Sequence, residues 1–134
     1  MSLQLYLLVA LGGAIGSIGR YALSGFVAMR FGEVFPFGTL IINVVGSFVI
    51  GFFATLTAPD GRLFVGAGTR QFVMTGVCGG FTTFSSFSLQ TLNLMQDGEW
   101  LYAGWNVIGS VTLCLVFVWL GSVSAAALNQ LKGM

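Results

Sequence analysis

Hydrophobic residues form four long runs along the chain, and short polar connectors separate them. The uncharged stretches cover residues 1–19, 34–59, 71–96 and 100–131. A helix needs about 20 apolar residues to cross a hydrocarbon core about 30 Å thick, and each run is close to that length or longer. The pattern predicts an all-α integral membrane protein with a single four-helix domain over residues 1–134. The predicted helices lie near residues 3–29, 37–58, 67–95 and 100–128.

Composition supports the membrane assignment and removes several classes of function. Hydrophobic residues make up 56% of the chain and charged residues 7%, histidine is absent, and the mean hydropathy is +0.94. A soluble domain carries about a quarter charged residues. The composition excludes a disordered chain and a nucleic-acid binder with a basic patch, so membrane lipid and not nucleic acid is the expected surrounding.

The residues that most enzymes use are missing, and we predict no enzymatic activity. Without histidine the chain has no Ser-His or Cys-His pair, and Gly79-Gly80 lacks the lysine of a phosphate-binding loop. Cys78 and Cys114 lie far apart inside predicted spans, without the spacing of a metal site. We interpret both cysteines as small buried hydrophobic residues.

The acidic residues all lie in connectors, and none is predicted to lie in the middle of the membrane. They are Glu33, Asp60, Asp97 and Glu99. Proton-coupled exporters of cations use a membrane-embedded carboxylate that binds either the proton or the cation. An exporter of organic cations is therefore a weakened alternative, and an accessory membrane subunit without transport of its own is a second one.

The basic residues specify the orientation of the chain only weakly. An even number of spans puts both termini on one side. Arg62, Arg70 and Lys132 lie on that side, and Arg30 lies on the other, together with Arg20 if its side chain reaches that interface, so the count is nearly balanced. Either the topology is fixed with a weak signal, or the chain inserts in both orientations and can form an antiparallel homodimer. Pairs of small residues predict close helix contacts, within one subunit or between two. These pairs are Gly12 and Gly16, Ser47 and Gly51, Gly76 and Gly80, and Gly121 and Ala125.

Two helices carry polar residues at every fourth position, which places each set on one helical face. The sets are Thr39, Asn43 and Ser47 in the second span and Asn106, Ser110 and Cys114 in the fourth. Such residues either join helices by hydrogen bonds or donate to a dehydrated ion. Arg20 lies late in the first span, where it either reaches the interface, pairs with Glu33, or supplies a positive field at a vestibule.

The third span contains a string of paired glycines, paired threonines and alternating hydroxyls that is a poor continuous helix. A break is predicted between Gly79 and Thr83. The carbonyls it frees must be buried, line water or coordinate a cation, unless neighbouring hydroxyls satisfy a simple kink. Phe84 and Phe87 follow three residues apart on one helical face. Their ring edges carry partial positive charge, so rings turned edge-on favour a small anion.

Three strings along the chain occur together in a characteristic order. They are Gly12-Gly13-Ala14-Ile15-Gly16 with Arg20-Tyr21, Phe35-Pro36-Phe37-Gly38-Thr39-Leu40 with Asn43 and Gly46, and Gly79-Gly80-Phe81-Thr82-Thr83-Phe84-Ser85-Ser86-Phe87. With these strings the chain resembles the Fluc (CrcB) family of fluoride channels over nearly all 134 residues. The third string is highly specific, because we know no other four-helix family with that combination in order.

The resemblance implies an antiparallel dual-topology homodimer in a bacterial inner membrane, with two pores that pass fluoride passively out of the cell. This activity would protect the cell from fluoride toxicity. Asn43, Phe84, Phe87, Thr39 and Ser110 resemble the residues along the fluoride route.

The same resemblance implies that Arg20 is the vestibule arginine. It also implies that the backbone carbonyls of Gly79 and Thr82, from both subunits, hold a structural sodium ion (Na+) on the dimer axis. Asn106 and Cys114 depart from the tyrosine and serine that some members carry, which puts the role of Cys114 in ion passage in doubt.

Overall fold

The computed structural model describes residues 2–131, and within that range the chain consists of helices joined by turns and by a longer loop over residues 57–66. The first two helices are α1 (Leu3–Phe31) and α2 (Phe37–Leu56). The third, α3, has three consecutive parts, Ala67–Arg70, Gln71–Cys78 and Gly79–Phe81. The last two are α4 (Phe84–Gln96) and α5 (Trp100–Gln130). Lys132 lies outside the described residues.

Four helical stretches are long and apolar enough to cross a membrane, as the hydrophobic pattern predicts. Their bounds are Leu3–Phe31, Phe37–Leu56, Ala67–Gln96 and Trp100–Gln130. The third stretch combines α3 and α4. The predicted helix ends at residues 29, 58, 95 and 128 correspond to observed ends at Phe31, Leu56, Gln96 and Gln130.

A glycine with positive φ makes the tight turn between α4 and α5. Gly98 has φ 78°, a conformation that favours glycine because it has no Cβ. Its N–H donates to the Met95 carbonyl at 3.1 Å, and the Glu99 N–H donates to the Leu94 carbonyl at 2.8 Å. This pair of bonds is the Schellman C-cap, which satisfies the last carbonyls of α4.

Glycines bring the helices close together within a single chain. A Cβ added at Gly80 would lie 2.6 Å from the Gly13 carbonyl oxygen of α1, and one at Gly121 would lie 2.9 Å from the Phe52 nitrogen of α2. Gly12, Gly16 and Gly76 are equally tight on the α1–α3 contact, and Gly51 on the α2–α5 contact. Packing within the subunit, one of the two interpretations of the small-residue pairs, therefore accounts for these glycines.

The third span departs from regular α-helix in two ways. Residues Gln71–Cys78 form a π-helix, a rare element that the sequence pattern did not indicate. Thr82 and Thr83 then have extended backbone, with φ −83°, ψ 158° and φ −155°, ψ 115°. Gly79 is helical, with φ −64° and ψ −36°, so the extended residues are the two threonines and not the glycines that precede them.

Polar contacts tie together the end of the bundle that carries the C-terminus of α5. The Asn129 side chain donates to the Thr55 carbonyl at 3.0 Å and accepts the Arg62 N–H at 2.6 Å. The Arg70 guanidinium donates to the Thr57 carbonyl at 2.9 Å and so satisfies the end of α2. The Arg62 guanidinium donates to the Leu128 carbonyl at 3.4 Å, so each of the two arginines contacts the C-terminal end of a helix.

Candidate functional site

A cavity of about 390 Å³ lies where α2, α3, α4 and α5 meet, and we call it the central cavity. Its polar lining consists of Asn43, Ser47, Thr82, Thr83 and Ser110, with Cys78 and Cys114 beside them. Phe84 and Phe87 contribute two aromatic rings, and Gly79 contributes backbone. No charged side chain lines it. The cavity thus joins neutral hydrogen-bonding groups to aromatic rings in the membrane-spanning part of the bundle.

Asn43 clamps the extended backbone of the third span. Its Nδ2 donates to the Thr83 carbonyl at 3.0 Å, and its Oδ1 accepts the Thr83 N–H at 2.8 Å. These bonds satisfy two backbone groups that leave the helical pattern, so Asn43 joins α2 to the third span. The amide has two N–H donors. The second is free of the Thr83 contact, and its use by an ion stays a prediction.

The Gly79 carbonyl does not receive the N–H that a continuous helix would give it. In a continuous α-helix the Thr83 N–H would donate to the Gly79 carbonyl, but here it donates to Asn43. The Thr82 N–H and hydroxyl both donate to the Cys78 carbonyl, at 3.0 and 2.9 Å. A Cβ on Gly79 would meet only Met74 oxygen, at 3.8 Å, so one side of this glycine is open. Gly79 and Thr82 both line the central cavity at the point where the helical part of the third span ends.

The two phenylalanines lie against each other but differ in exposure. Their ring centroids are 5.2 Å apart and their planes meet at 45°. Phe87 is 8% exposed, whereas Phe84 is 74% exposed. Phe87 thus lines the cavity as a buried residue. Phe84 lines it at a side where a single chain leaves the ring exposed.

Ser110 belongs to a buried chain of hydrogen bonds that connects α5 to α4. Its hydroxyl donates to Asn106 Oδ1 at 3.4 Å, and Asn106 Nδ2 donates to Thr91 Oγ1 at 2.9 Å. Thr91 in turn donates to the Phe87 carbonyl at 2.8 Å. Asn106 is 2% exposed and packs between the helices, so the polar track of the fourth span divides. Ser110 and Cys114 line the central cavity, and Asn106 does not.

A second cavity, of about 330 Å³, lies toward the α4–α5 turn, and we call it the end cavity. Thr39 lines it, together with Glu33, Gln90, Asn93 and Asp97. Thr39 is buried, but it does not reach the central cavity with the other predicted pathway residues. Helix α4 passes along both cavities, with Phe87 at the central one and Gln90 at the end one.

Arg20 contacts the third span directly. Its Nε donates to the Gly80 carbonyl at 3.1 Å, and the side chain is half-buried. Arg20 lines neither the central cavity nor the end cavity. The structure therefore places this cation against Gly80 at the C-terminal end of α3, outside the lining of both cavities.

Comparison with known proteins places the chain in a family. Residues 7–122 match the family described as "CrcB-like protein, Camphor Resistance (CrcB)". The chain belongs to this family. The resemblance drawn from the three sequence strings is confirmed.

Several relatives match the chain over nearly its whole length. One from Opitutus terrae is 70% identical over 131 residues, covering 98% of this chain and 99% of the relative. One from Rhodospirillum rubrum is 61% identical over 125 residues, covering 93% and 97%. One from Methylocella silvestris is 58% identical over 128 residues, covering 96% and 98%. Each of them is named "Fluoride-specific ion channel FluC".

Sequence reasoning missed two residues near the cavities of this CrcB family member. Thr91 follows Phe87 by four residues, and this spacing places it on the same face of α4. Gln90 lines the end cavity, and its Oε1 is buried without a hydrogen-bond partner in the described part of the chain. No sequence signal pointed to Gln90, because its surroundings come from distant connectors.

Proposed function

We propose that this protein is a fluoride-selective ion channel that lets cytoplasmic fluoride leave passively, down its electrochemical gradient, and so protects the cell from fluoride. The observation that carries the proposal is the central cavity, which combines neutral donors and two phenylalanine rings without a charged side chain. The names of the full-length relatives support it. The protein is a channel and not an enzyme.

Neutral groups suit a small anion that must be both bound and released. Fluoride holds its water strongly, so a selective route has to replace that water with hydrogen-bond donors. The second N–H of Asn43 and the hydroxyl of Ser110 are donors at the central cavity, and Thr39 is a donor at the end cavity. The positive ring edges of Phe84 and Phe87 add attraction without the tight hold of a full charge.

The absence of acids from the lining of the central cavity favours passive flux over coupled transport. A transporter driven by protons or cations needs a group in its pathway that binds the coupling ion. The lining of the central cavity offers no carboxylate. The two acids near the route, Glu33 and Asp97, lie at the end cavity, where they are exposed.

The functional unit in this proposal is an antiparallel homodimer in the bacterial inner membrane. Phe84 lines the central cavity yet is 74% exposed, and a second copy would cover it. The near balance of basic residues between the two ends supports insertion in both orientations. Membrane lipid would cover the remaining apolar surface of the multi-pass bundle.

We also propose that the third span holds a structural sodium ion. Hard cations prefer oxygen ligands, and unwound backbone in membrane helices supplies them. Among the described residues no cluster of acidic, cysteine or histidine side chains could hold a metal, so backbone oxygens are the relevant donors. The carbonyls of Gly79 and Thr82 from each of two copies would hold the ion, which would supply positive charge that joins the subunits.

Arg20 completes the proposed charge arrangement. Its guanidinium donates a hydrogen bond to the Gly80 carbonyl, one residue from Gly79. It would add positive potential at the vestibule and so attract anions toward the third span. This vestibule role stays a prediction.

The test is fluoride efflux from liposomes that contain the purified protein. A fluoride electrode follows release after an ionophore dissipates the voltage, with chloride measured in parallel and protein-free liposomes as the control. Rapid fluoride release without chloride release is the expected result. No release from folded, monodisperse protein would overturn the proposal and favour an accessory subunit, whereas uptake of a fluorescent organic cation would favour an exporter.

A further inference from the structure

The hydrogen bonds between Ser110 and Phe87 can run in only one direction. The Phe87 carbonyl can only accept a hydrogen bond, so the Thr91 hydroxyl donates its single proton to it. The Thr91 oxygen must then accept from Asn106, which turns the NH₂ group of that amide toward α4. The Asn106 oxygen consequently points to Ser110, whose hydroxyl proton it accepts. A backbone carbonyl in α4 thus determines the orientation of every donor up to α5.

This direction has a consequence for the central cavity. Ser110 lines the cavity, but its proton points to Asn106, so the cavity receives the lone pairs of its oxygen. An anion needs the proton instead. The bond from Ser110 to Asn106 is 3.4 Å long, which is long for a hydroxyl donor, so its proton can turn away at small cost. Asn106 and Thr91 are held firmly, because they are 2% and 9% exposed and share a 2.9 Å bond.

We infer that Asn106, oriented by Thr91, is a positioning residue that sets the resting direction of the Ser110 proton. The Ser110 hydroxyl points its proton at the Asn106 oxygen when no ion is present, and it turns that proton toward fluoride when the ion reaches Ser110. The inference rests on the proposed function. Neither Asn106 nor Thr91 lines the central or the end cavity, so both act through Ser110 and do not contact the ion.

The first arm of the test reads the side-chain amides by NMR. The chain has four asparagines, Asn43, Asn93, Asn106 and Asn129, so ¹⁵N-asparagine labelling of the full-length protein in detergent gives few NH₂ signals. We expect Thr91→Val to move the Asn106 signal and Thr91→Ser, which keeps the hydroxyl, to leave it in place. Sodium fluoride should move it in the wild type but not in Ser110→Ala. A wild-type signal that ignores fluoride would overturn the inference.

The second arm measures the fluoride concentration that gives half-maximal efflux. Asn106→Leu should lower it about fivefold, the factor for one weak neutral hydrogen bond that no longer competes for the proton. The same substitution in a Ser110→Ala background should change nothing. An equal shift in both backgrounds would show that the effect does not pass through Ser110 and would overturn the inference.

Controls separate this inference from the proposed function. Ser124→Ala removes an exposed hydroxyl on α5 that donates to the Leu120 carbonyl, and it should leave the half-maximal concentration unchanged. If Asn106→Leu does not fold, Thr91→Val and Thr91→Ser carry the same comparison. Wild-type protein that shows no fluoride efflux contradicts the proposed function. Wild-type efflux without a fluoride-dependent Asn106 signal contradicts only the inference.

Discussion

The two cavities of this bundle differ in charge and in how their polar groups are satisfied. The central cavity has no charged lining, and Asn43 and Ser110 at its wall are hydrogen-bonded to the protein. The end cavity carries Glu33 and Asp97. Gln90 also lines it, with a buried Oε1 that lacks a partner within residues 2–131. In the proposed channel, this contrast favours selection of the ion at the central cavity and a solvent-facing entrance at the end cavity.

The largest expected effect comes from putting charge into the central cavity. Asn43→Asp replaces the donor to the Thr83 carbonyl by a second acceptor and adds negative charge beside the route. We expect fluoride efflux to fall by about 100-fold or more, since a polar group left without its partner costs about 1–3 kcal/mol, and more where a charge is involved. The matched control is Asn93→Asp at the end cavity, which should retain most of the efflux. Equal losses in the two variants would contradict the difference between the cavities.

Removing a ring from the central cavity should have the next largest effect. Phe84→Ile and Phe87→Ile keep apolar bulk but lose the positive ring edges, so fluoride efflux should fall about fivefold to tenfold, which corresponds to an aromatic contact of about 1 kcal/mol. Phe52→Ile is the control, because this ring stacks on Phe48 away from both cavities. Full efflux in both cavity variants would exclude the edge-on role of the rings.

Neutralising the end cavity should have a small effect that depends on salt. With Glu33→Gln and Asp97→Asn together, fluoride entry from that side should rise roughly twofold at low ionic strength, because exposed acids repel an approaching anion. The gain should disappear at about 0.1 M salt or above, where the screening length is about 10 Å or less. Efflux rates over a salt series measure this, and a gain that survives high salt would place the acids inside the selective route.

The smallest expected effect is on thermal stability, where a polar group without a hydrogen-bond partner should differ from one that is hydrogen-bonded. Gln90→Met removes a buried oxygen that has no partner in the described structure, so the melting temperature should change by about 2 °C or less. Asn106→Leu removes an amide with two hydrogen bonds and should lower it further. Thermal unfolding in detergent provides the measurement. A large fall for Gln90→Met would mean that ordered water satisfies this oxygen.

Much of the fold was accessible from sequence, because membrane spans are set by length and polarity alone. The same periodicity placed Asn43 and Ser110 on polar faces, and both line the central cavity. Periodicity shows which side of a helix a residue is on but not which residue it contacts. It therefore could not show that Ser110 lines the cavity whereas Asn106 is buried in the contact between α4 and α5. Thr39 likewise shares a face with Asn43 but lies one helical turn away, at the other cavity.

Other features were inaccessible because they depend on contacts between distant segments. The extended residues are Thr82 and Thr83, and what holds Thr83 is an amide forty positions earlier in the chain. Of the glycines before them, Gly80 lets α1 approach at Gly13 and Gly79 has open space beside it, and both remain helical. Glycine content alone does not distinguish a residue that breaks a helix from one that lets a neighbour approach.

The π-helical segment Gln71–Cys78 gives the third span a place where the number of residues can change. A π-turn closes its hydrogen bond one residue later than an α-turn and so holds more residues. Deleting one residue here would let the segment tighten into α-helix, and most of the register between Thr83 and Asn43 would be kept, because the wider turns already take up the extra residue. Deleting one residue from a stretch that is already α-helical would instead turn everything beyond it by about 100°. During evolution this segment can therefore change its length more easily than the regular helices around it.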